Sequence, residues 1–156
     1  MKVESTRDPV IIKKVLDFLN AHKKMVLAVL DQQGHPDASL VLYAIDDDLN
    51  VYFGTKKVFG KYKAVHANPH VAAAIEQEVL DPLQIVDIKG VVEEMPAEKT
   101  EELMKWFTSK NESTYYVKDA EDYVMLKIVP TRLRWLDATS GELEIYDIDL
   151  KAIHGS

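Results

Sequence analysis

The sequence predicts an α+β fold, a small antiparallel β-barrel with peripheral helices. Three observations carry this reading. Many short apolar runs alternate with turn residues, two or three segments show helical spacing, and no repeat, low-complexity tract or linker divides the 156 residues. One domain over residues 1–156 is expected, with 1–7 and 151–156 as frayed ends.

The elements follow in order. Asp8 and Pro9 read as an N-cap and a first helical residue. Ile11, Val15, Phe18, Leu19 and His22 then recur at helical spacing, which predicts a helix to about residue 24. Residues 25–30 read as a buried strand, 31–36 as a turn, 38–45 as a second strand, 46–48 as a polar turn and 50–55 as a third strand. These three strands are expected to form an antiparallel meander. A short helix over 61–67 stops at Asn68-Pro69, and a fourth strand covers 71–76. After the Asp81-Pro82 break, 83–92 is a long strand with Gly90 at a bulge. Pro96 precedes a helix over 97–109, with Leu103, Trp106 and Phe107 on its apolar side. Residues 110–122 read as an ordered loop. Strands at 123–129 and 132–137 flank Pro130, and 143–150 reads as either a final strand or an acidic arm.

Composition narrows the function. Hydrophobic residues make up 47% and charged residues 29%, ordinary for a water-soluble domain. No apolar run reaches membrane-spanning length, and residues 1–7 lack an apolar signal core. The absence of cysteine excludes disulfides and thiolate chemistry and fits a reducing cytoplasm. A net charge of -7 argues against general nucleic-acid binding.

Against that acidic background, Lys56, Lys57, Lys61 and Lys63 lie within residues 55–64, with no carboxylate among them. They fall between a predicted strand and a predicted helix, where free N–H groups and the helix dipole favour anions. This reads as a phosphate site, and equally as a solvated basic loop. Other chemistry is poorly represented. His66 and His70 have i,i+4 spacing, but Asn68-Pro69 between them prevents a shared helical face, so they read as surface histidines rather than metal ligands. Glu93-Glu94 and Glu101-Glu102 read as solvated faces, and Trp106 and Trp135 as packing residues. No nucleotide-binding glycine motif, nucleophile elbow or zinc-binding helix motif is present. A site without a strong acid, base or nucleophile suits a cofactor that carries the chemistry itself.

The ordered set Tyr52-Phe53-Gly54-Thr55, Phe59-Gly60-Lys61 and Asn68-Pro69-His70-Val71 resembles the pyridoxamine 5'-phosphate oxidase-like, FMN-binding split-barrel superfamily. The resemblance covers residues 8–94. It implies a split-barrel homodimer with flavin at the subunit interface. By position, Ser39, Leu40, Val41 and Leu42 would line the isoalloxazine and ribityl chain. Thr55, Lys56 and Lys61 would hold the phosphate, with Lys57 as a further charge. Gln84 would meet the isoalloxazine edge, and Trp106 would reach a flavin from the partner subunit.

The resemblance also has gaps. The oxidases carry Arg at the position of Ser39, and Ser and Arg at those of Phe59 and Gly60. They also carry an Arg-x-His signature where this chain has Arg132-Leu133-Arg134-Trp135. The expected activity is therefore that of an FMN-binding oxidoreductase with a substrate other than pyridoxamine phosphate and an unidentified electron donor. Alternatives are a non-catalytic flavin-binding or electron-carrier protein, a deazaflavin or haem protein, and a flavin-free dimeric stress-related module.

Overall fold

The computed structural model describes residues 2–111 and 122–154. Asp8 caps the first helix, α1 (Pro9–Ala21), by accepting a hydrogen bond from the Val10 N–H at 2.9 Å, with Pro9 in the first helical position. Val15, Phe18 and Leu19 form its buried stripe. The helix stops three residues earlier than expected, where His22 leaves helical geometry and its Nδ1–H donates to the Phe18 carbonyl at 2.7 Å. The strand β2 (Lys24–Leu30) then alternates, burying Met25, Leu27 and Val29. Asp31 organises the following turn by accepting from the N–H groups of Gln33 and His35, with Gly34 at a φ of +80°.

The next strand differs from expectation. It divides into β3 (Pro36–Leu42) and β4 (Ala44–Ile45), because Tyr43 is drawn into the core. The Tyr43 hydroxyl donates to the Leu19 carbonyl at 2.6 Å, and its N–H donates to the Lys23 carbonyl. The expected three-strand meander is consequently replaced. β3 pairs with β2, whereas β4 pairs with β5 (Val51–Lys56), which in turn pairs with β8 (Tyr123–Asp137). The short helix α2 (Gly60–Ala67), the strand β6 (His70–Glu76) and the strand β7 (Gln84–Glu94) follow as expected. The β7–β8 register shifts between Lys89 and Gly90, which confirms the bulge. Pro130 faces Gly90 there, so the two strands expected around it are one continuous β8. A 3₁₀ turn (Ala97–Lys99) leads into α3 (Thr100–Lys110). Of the loop expected over 110–122, residues 112–121 lie outside the described residues.

Regular elements lie within both segments where fraying was expected. Val3–Thr6 forms the strand β1, and Glu144–Ile148 forms β9, a strand rather than an arm. The two pair in parallel, so the sheet is mixed rather than purely antiparallel. A short helix, α4 (Leu150–His154), closes the described chain. The nine described strands run β1-β9-β8-β7-β6-β2-β3, with β5 joined to β8 and β4 to β5. The main core packs α1 against the inward residues of β2, β5, β6, β7 and β8, with Trp135 edge-to-face on Phe18 at 5.0 Å. A second cluster gathers Met104 and Phe107 of α3 against Tyr52, Tyr123 and Met125. Among the described residues no helix is long and apolar enough to cross a membrane.

Candidate anion and cofactor site

β3 ends the main strand order, and the alternation along it splits the expected cofactor-lining run in two. Ser39 and Val41 pair with the buried Leu27 and Met25 and face inward. Leu40 faces outward, 65% exposed, opposite Val26, itself 46% exposed. Val26 is paired on its other side with Ala74. Leu40, Val26 and Ala74 form the apolar floor of an open cavity of about 560 Å³, also lined by Lys23, Lys24, Glu76 and Glu78. Leu42 departs from this surface and packs on the α3 cluster.

The lysine-rich segment joins β5 to α2. Thr55 is 2% exposed, and among the described residues its Oγ1 has no hydrogen-bond partner. An orphaned buried hydroxyl costs about 1–3 kcal/mol until something satisfies it. Lys56 lies opposite Tyr123 in the β5–β8 ladder, its ammonium 5.4 Å from the ring centroid, in a cation–π arrangement. The Phe59 N–H donates to the Lys56 carbonyl, which folds the first turn of α2 against the end of β5.

Phe59 occupies the N-cap position of α2, and among the described residues no side chain caps the helix. Its first-turn N–H groups therefore keep the positive end of the dipole unanswered by a capping oxygen. The space above Gly60 is open, since a Cβ there would meet nothing within 4 Å. Lys61 follows, half-buried. Burial pushes its pKa below the ordinary lysine value, and the Asp37 carboxylate of β3 partly opposes that shift. Lys57 and Lys63 are exposed. At the other end of α2, Glu94 of β7 fixes the helix, accepting from the Tyr62 hydroxyl at 3.2 Å and lying 3.1 Å from His66 Nε2. The His66 ring also stacks on Tyr62 at 4.1 Å.

The structure thus brings Thr55 and Lys61 to one strand–helix junction, within electrostatic reach of β3 through Asp37. It does not bring Gln84 there. Gln84 shares a face of β7 with the buried Val86, and its Nε2–H donates to Asp137 at 3.3 Å. The residue of β7 on the face of Leu40 and Val26 is Asp87, paired with Ala74. Trp106 packs edge-to-face on Tyr52 at 5.1 Å, and Trp135 is core, 1% exposed. Asp37 and the Tyr62–His66–Glu94 bracket escaped sequence reasoning. Asp37 had one local signal, its position two residues before Ser39 on the same strand face. Among the described residues no group of three metal-ligating side chains forms.

An uncapped helix end, a half-buried ammonium and an orphaned hydroxyl fit the phosphate end of a phosphorylated cofactor. The apolar shelf of Leu40, Val26 and Ala74 fits a planar one.

Solved structures share this architecture. A conserved hypothetical protein from Mycobacterium tuberculosis superposes with a TM-score of 0.72 at 21% identity, covering 83% of this chain and 87% of that one. A haem-binding protein from Mycobacterium smegmatis gives 0.75 at 18% identity over 96% of this chain and 62% of its own. An F420 reductase gives 0.63 at 22% identity over 75% of this chain and 93% of its own. At these identities the likeness shows the fold alone. None of the curated proteins matches the sequence significantly. The family model described as pyridoxamine 5'-phosphate oxidase matches residues 11–137, most of the chain and every element from α1 to β8, and the protein therefore belongs to that family.

Proposed function

We propose that this protein binds a phosphorylated flavin, FMN or a deazaflavin relative, at the β3–α2 junction and acts as a flavin-dependent oxidoreductase. The observation that carries the reading is the half-buried Lys61 at the open, uncapped start of α2. Its ammonium and the first-turn N–H groups would hold the phosphate. Thr55 would turn its hydroxyl about χ1 to join them. The flavin would cross the backbone edge of β3, from the Asp37 face, which Lys61 meets, to the opposite face, where Leu40, Val26 and Ala74 form a dry shelf for the ring. The bound flavin supplies hydride or electron transfer, which explains why the shelf needs no acid or base of its own.

The apolar shelf is open on one side. We assign its second wall to another copy of the chain, in a split-barrel homodimer. Lys23, Lys24, Glu76 and Glu78 line the same shelf, so its rim offers charges of both signs to a two-fold partner.

The test is the visible spectrum of the purified protein after incubation with FMN and removal of the excess. Retained flavin bands, bleached by a reduced nicotinamide nucleotide, are the expected result. Retained bands that no electron donor bleaches would mark a carrier. A folded protein with no retained flavin would overturn the reading and leave a cofactor-free module. Haem bands on adding haemin instead would move the assignment to a haem protein.

A further inference from the structure

We propose that a cavity beneath the C-terminal half of α1 binds a small organic cation, an ammonium or guanidinium group carried on an apolar body. The cavity has a volume of about 480 Å³ and lies where α1 meets the start of β7 and the end of β8. That size suits a small ligand. It adjoins the shelf, since Ala21 and His22 line both, but its polar groups come from the other face of β7. Gln84 shares the face of the buried Val86, whereas Asp87 faces the shelf side.

The first observation is a buried carboxylate with an unused oxygen. Asp137 is 6% exposed, and its Oδ1 accepts from Gln84 Nε2–H at 3.3 Å and from the Thr139 N–H at 3.1 Å. Its Oδ2 accepts nothing among the described residues, yet it is not one of the polar atoms sealed from solvent without a partner. Oδ2 therefore opens onto the cavity that Asp137 lines. A carboxylate oxygen that has lost most of its water gains most from a donor that brings a positive charge. The second observation is that the neighbouring polar groups present acceptors too. Gln84 commits its amide nitrogen to Asp137, which leaves Oε1 free to accept. His22 commits Nδ1–H to the Phe18 carbonyl, so the neutral ring presents the lone pair of Nε2. Three acceptors, one of them charged, thus line one cavity.

The third observation is the aromatic wall. Phe18 and Trp135, both buried, line the cavity and pack ring to ring at 5.0 Å, and the His22 ring lies 4.2 Å from Phe18. Aromatic rings beside a carboxylate suit an organic cation, because the ring faces attract positive charge and the rings cover the apolar body. Lys14 and Asp17 also line the cavity, but both are exposed, and Asp17 is already paired with Lys13 at 2.7 Å. Water and salt screen exposed charges far more than buried ones, so the Asp137 carboxylate decides the sign of the ligand.

The experiment uses the full chain without added flavin and three probes that share a phenyl body: phenethylamine, phenethyl alcohol and phenylacetate. Binding is read by calorimetric titration at fixed ionic strength, with the Trp135 indole N–H signal in NMR marking the site. Phenethylamine is expected to bind at least about ten-fold more tightly than phenethyl alcohol, with phenylacetate weakest. Asp137→Asn keeps an oxygen for Gln84 and Thr139 but removes the free oxygen and its charge, so it should bring the amine-to-alcohol ratio towards one. Asp17→Asn, a change to an exposed charge, should leave that ratio within about two-fold. The comparison of probes on the unaltered chain stands whether or not a variant folds. Equal binding of amine and alcohol, or a folded Asp137→Asn protein that keeps the preference, would overturn the assignment. A preference lost in Asp17→Asn would reduce it to diffuse surface charge, and failure of all three probes to bind would end it.

Discussion

Gly90 is the position where a single methyl group should do most damage. A Cβ built there would stand 2.6 Å from Ile128 Cγ2 and 2.7 Å from the Val129 carbonyl oxygen. Neither neighbour can yield cheaply. Ile128 is fully buried in the main core, and Val129 is fixed in the β7–β8 ladder through its pairing with Val91. Ordinary contact needs more than 3.4 Å, so the strands must part by most of an ångström at the bulge or the ladder must break. Overpacking of this kind costs about 1–3 kcal/mol, and with a backbone carbonyl as one obstacle we expect the upper half, about 2–3 kcal/mol. In a chain of this length about 1 kcal/mol shifts Tm by about 2–4 °C, so Gly90→Ala should lower Tm by about 4–12 °C. The assay is thermal unfolding by circular dichroism at one fixed protein concentration, with a urea titration to check that the slope is unchanged. Gly60→Ala is the internal control, since its Cβ enters open space and should leave Tm within about 1 °C or raise it slightly. A Gly90→Ala protein as stable as the parent would refute the packing of β7 on β8 described here.

Four further outcomes are expected. Trp135→Ala removes a fully buried ring from the centre of the core and should cost about 3–5 kcal/mol in urea unfolding; an equally stable variant would reopen a binding role for that residue. Lys61→Ala should weaken FMN binding by about 1–3 kcal/mol, measured by fluorescence titration, and unchanged affinity would remove Lys61 from the site. Because burial holds the Lys61 pKa below the ordinary 10.5, flavin affinity should fall as pH rises through that lowered value. Asp147 accepts a two-pronged hydrogen bond from Arg134 at 2.8 and 3.1 Å, which holds its carboxyl below the ordinary 3.8. A depressed carboxylate stabilises the fold above its unfolded pKa and loses that contribution as pH falls through the folded one. Asp147→Asn should therefore cost about 0.5–1 kcal/mol at pH 7, for a partly exposed pair, and the difference from the parent should close below about pH 3.8. A gap that persists in acid would sink that account.

The elements that depend on their own residues were legible in the sequence. The α1 cap, the Asp31 turn and the Gly90 bulge each follow from a few adjacent side chains, whereas the unbroken apolar run of β2 hides that Val26 faces out. What escaped the sequence depends on distant partners. Nothing near Val3 announces that it will pair with Ile145. Tyr43 looks like one more strand residue until Leu19, on α1, takes its hydroxyl and bends the chain away from a meander. Pro130 reads locally as a strand breaker because it lacks an N–H. It sits inside β8 without penalty because the register already slips at Gly90 across the ladder, where the missing donor is least needed.

The candidate site divides along the same line. A lysine cluster in an acidic chain is a local fact, and the structure does place it at a strand–helix junction. Which lysine matters is not a local fact. Lys57 and Lys63 remain exposed, and Lys56 lies over the Tyr123 ring. Lys61 is half-buried, which lowers its pKa, and the Asp37 carboxylate is near enough to act on it. A phosphate gains most from a cation that has already lost part of its water, because the remaining interaction is less screened than at the surface. The same alternation sets Gln84 on the other face from the shelf. One residue of register decides whether a strand side chain meets the apolar shelf or the core, and β7 gives the shelf face to Asp87 while Gln84 turns to Asp137. A ring bound on the shelf would therefore have Leu40, Val26 and Ala74 beneath it and Asp87 at the next strand. The carboxylate of Asp87, rather than the amide of Gln84, is the polar group of β7 that this surface offers to a ligand or a partner subunit.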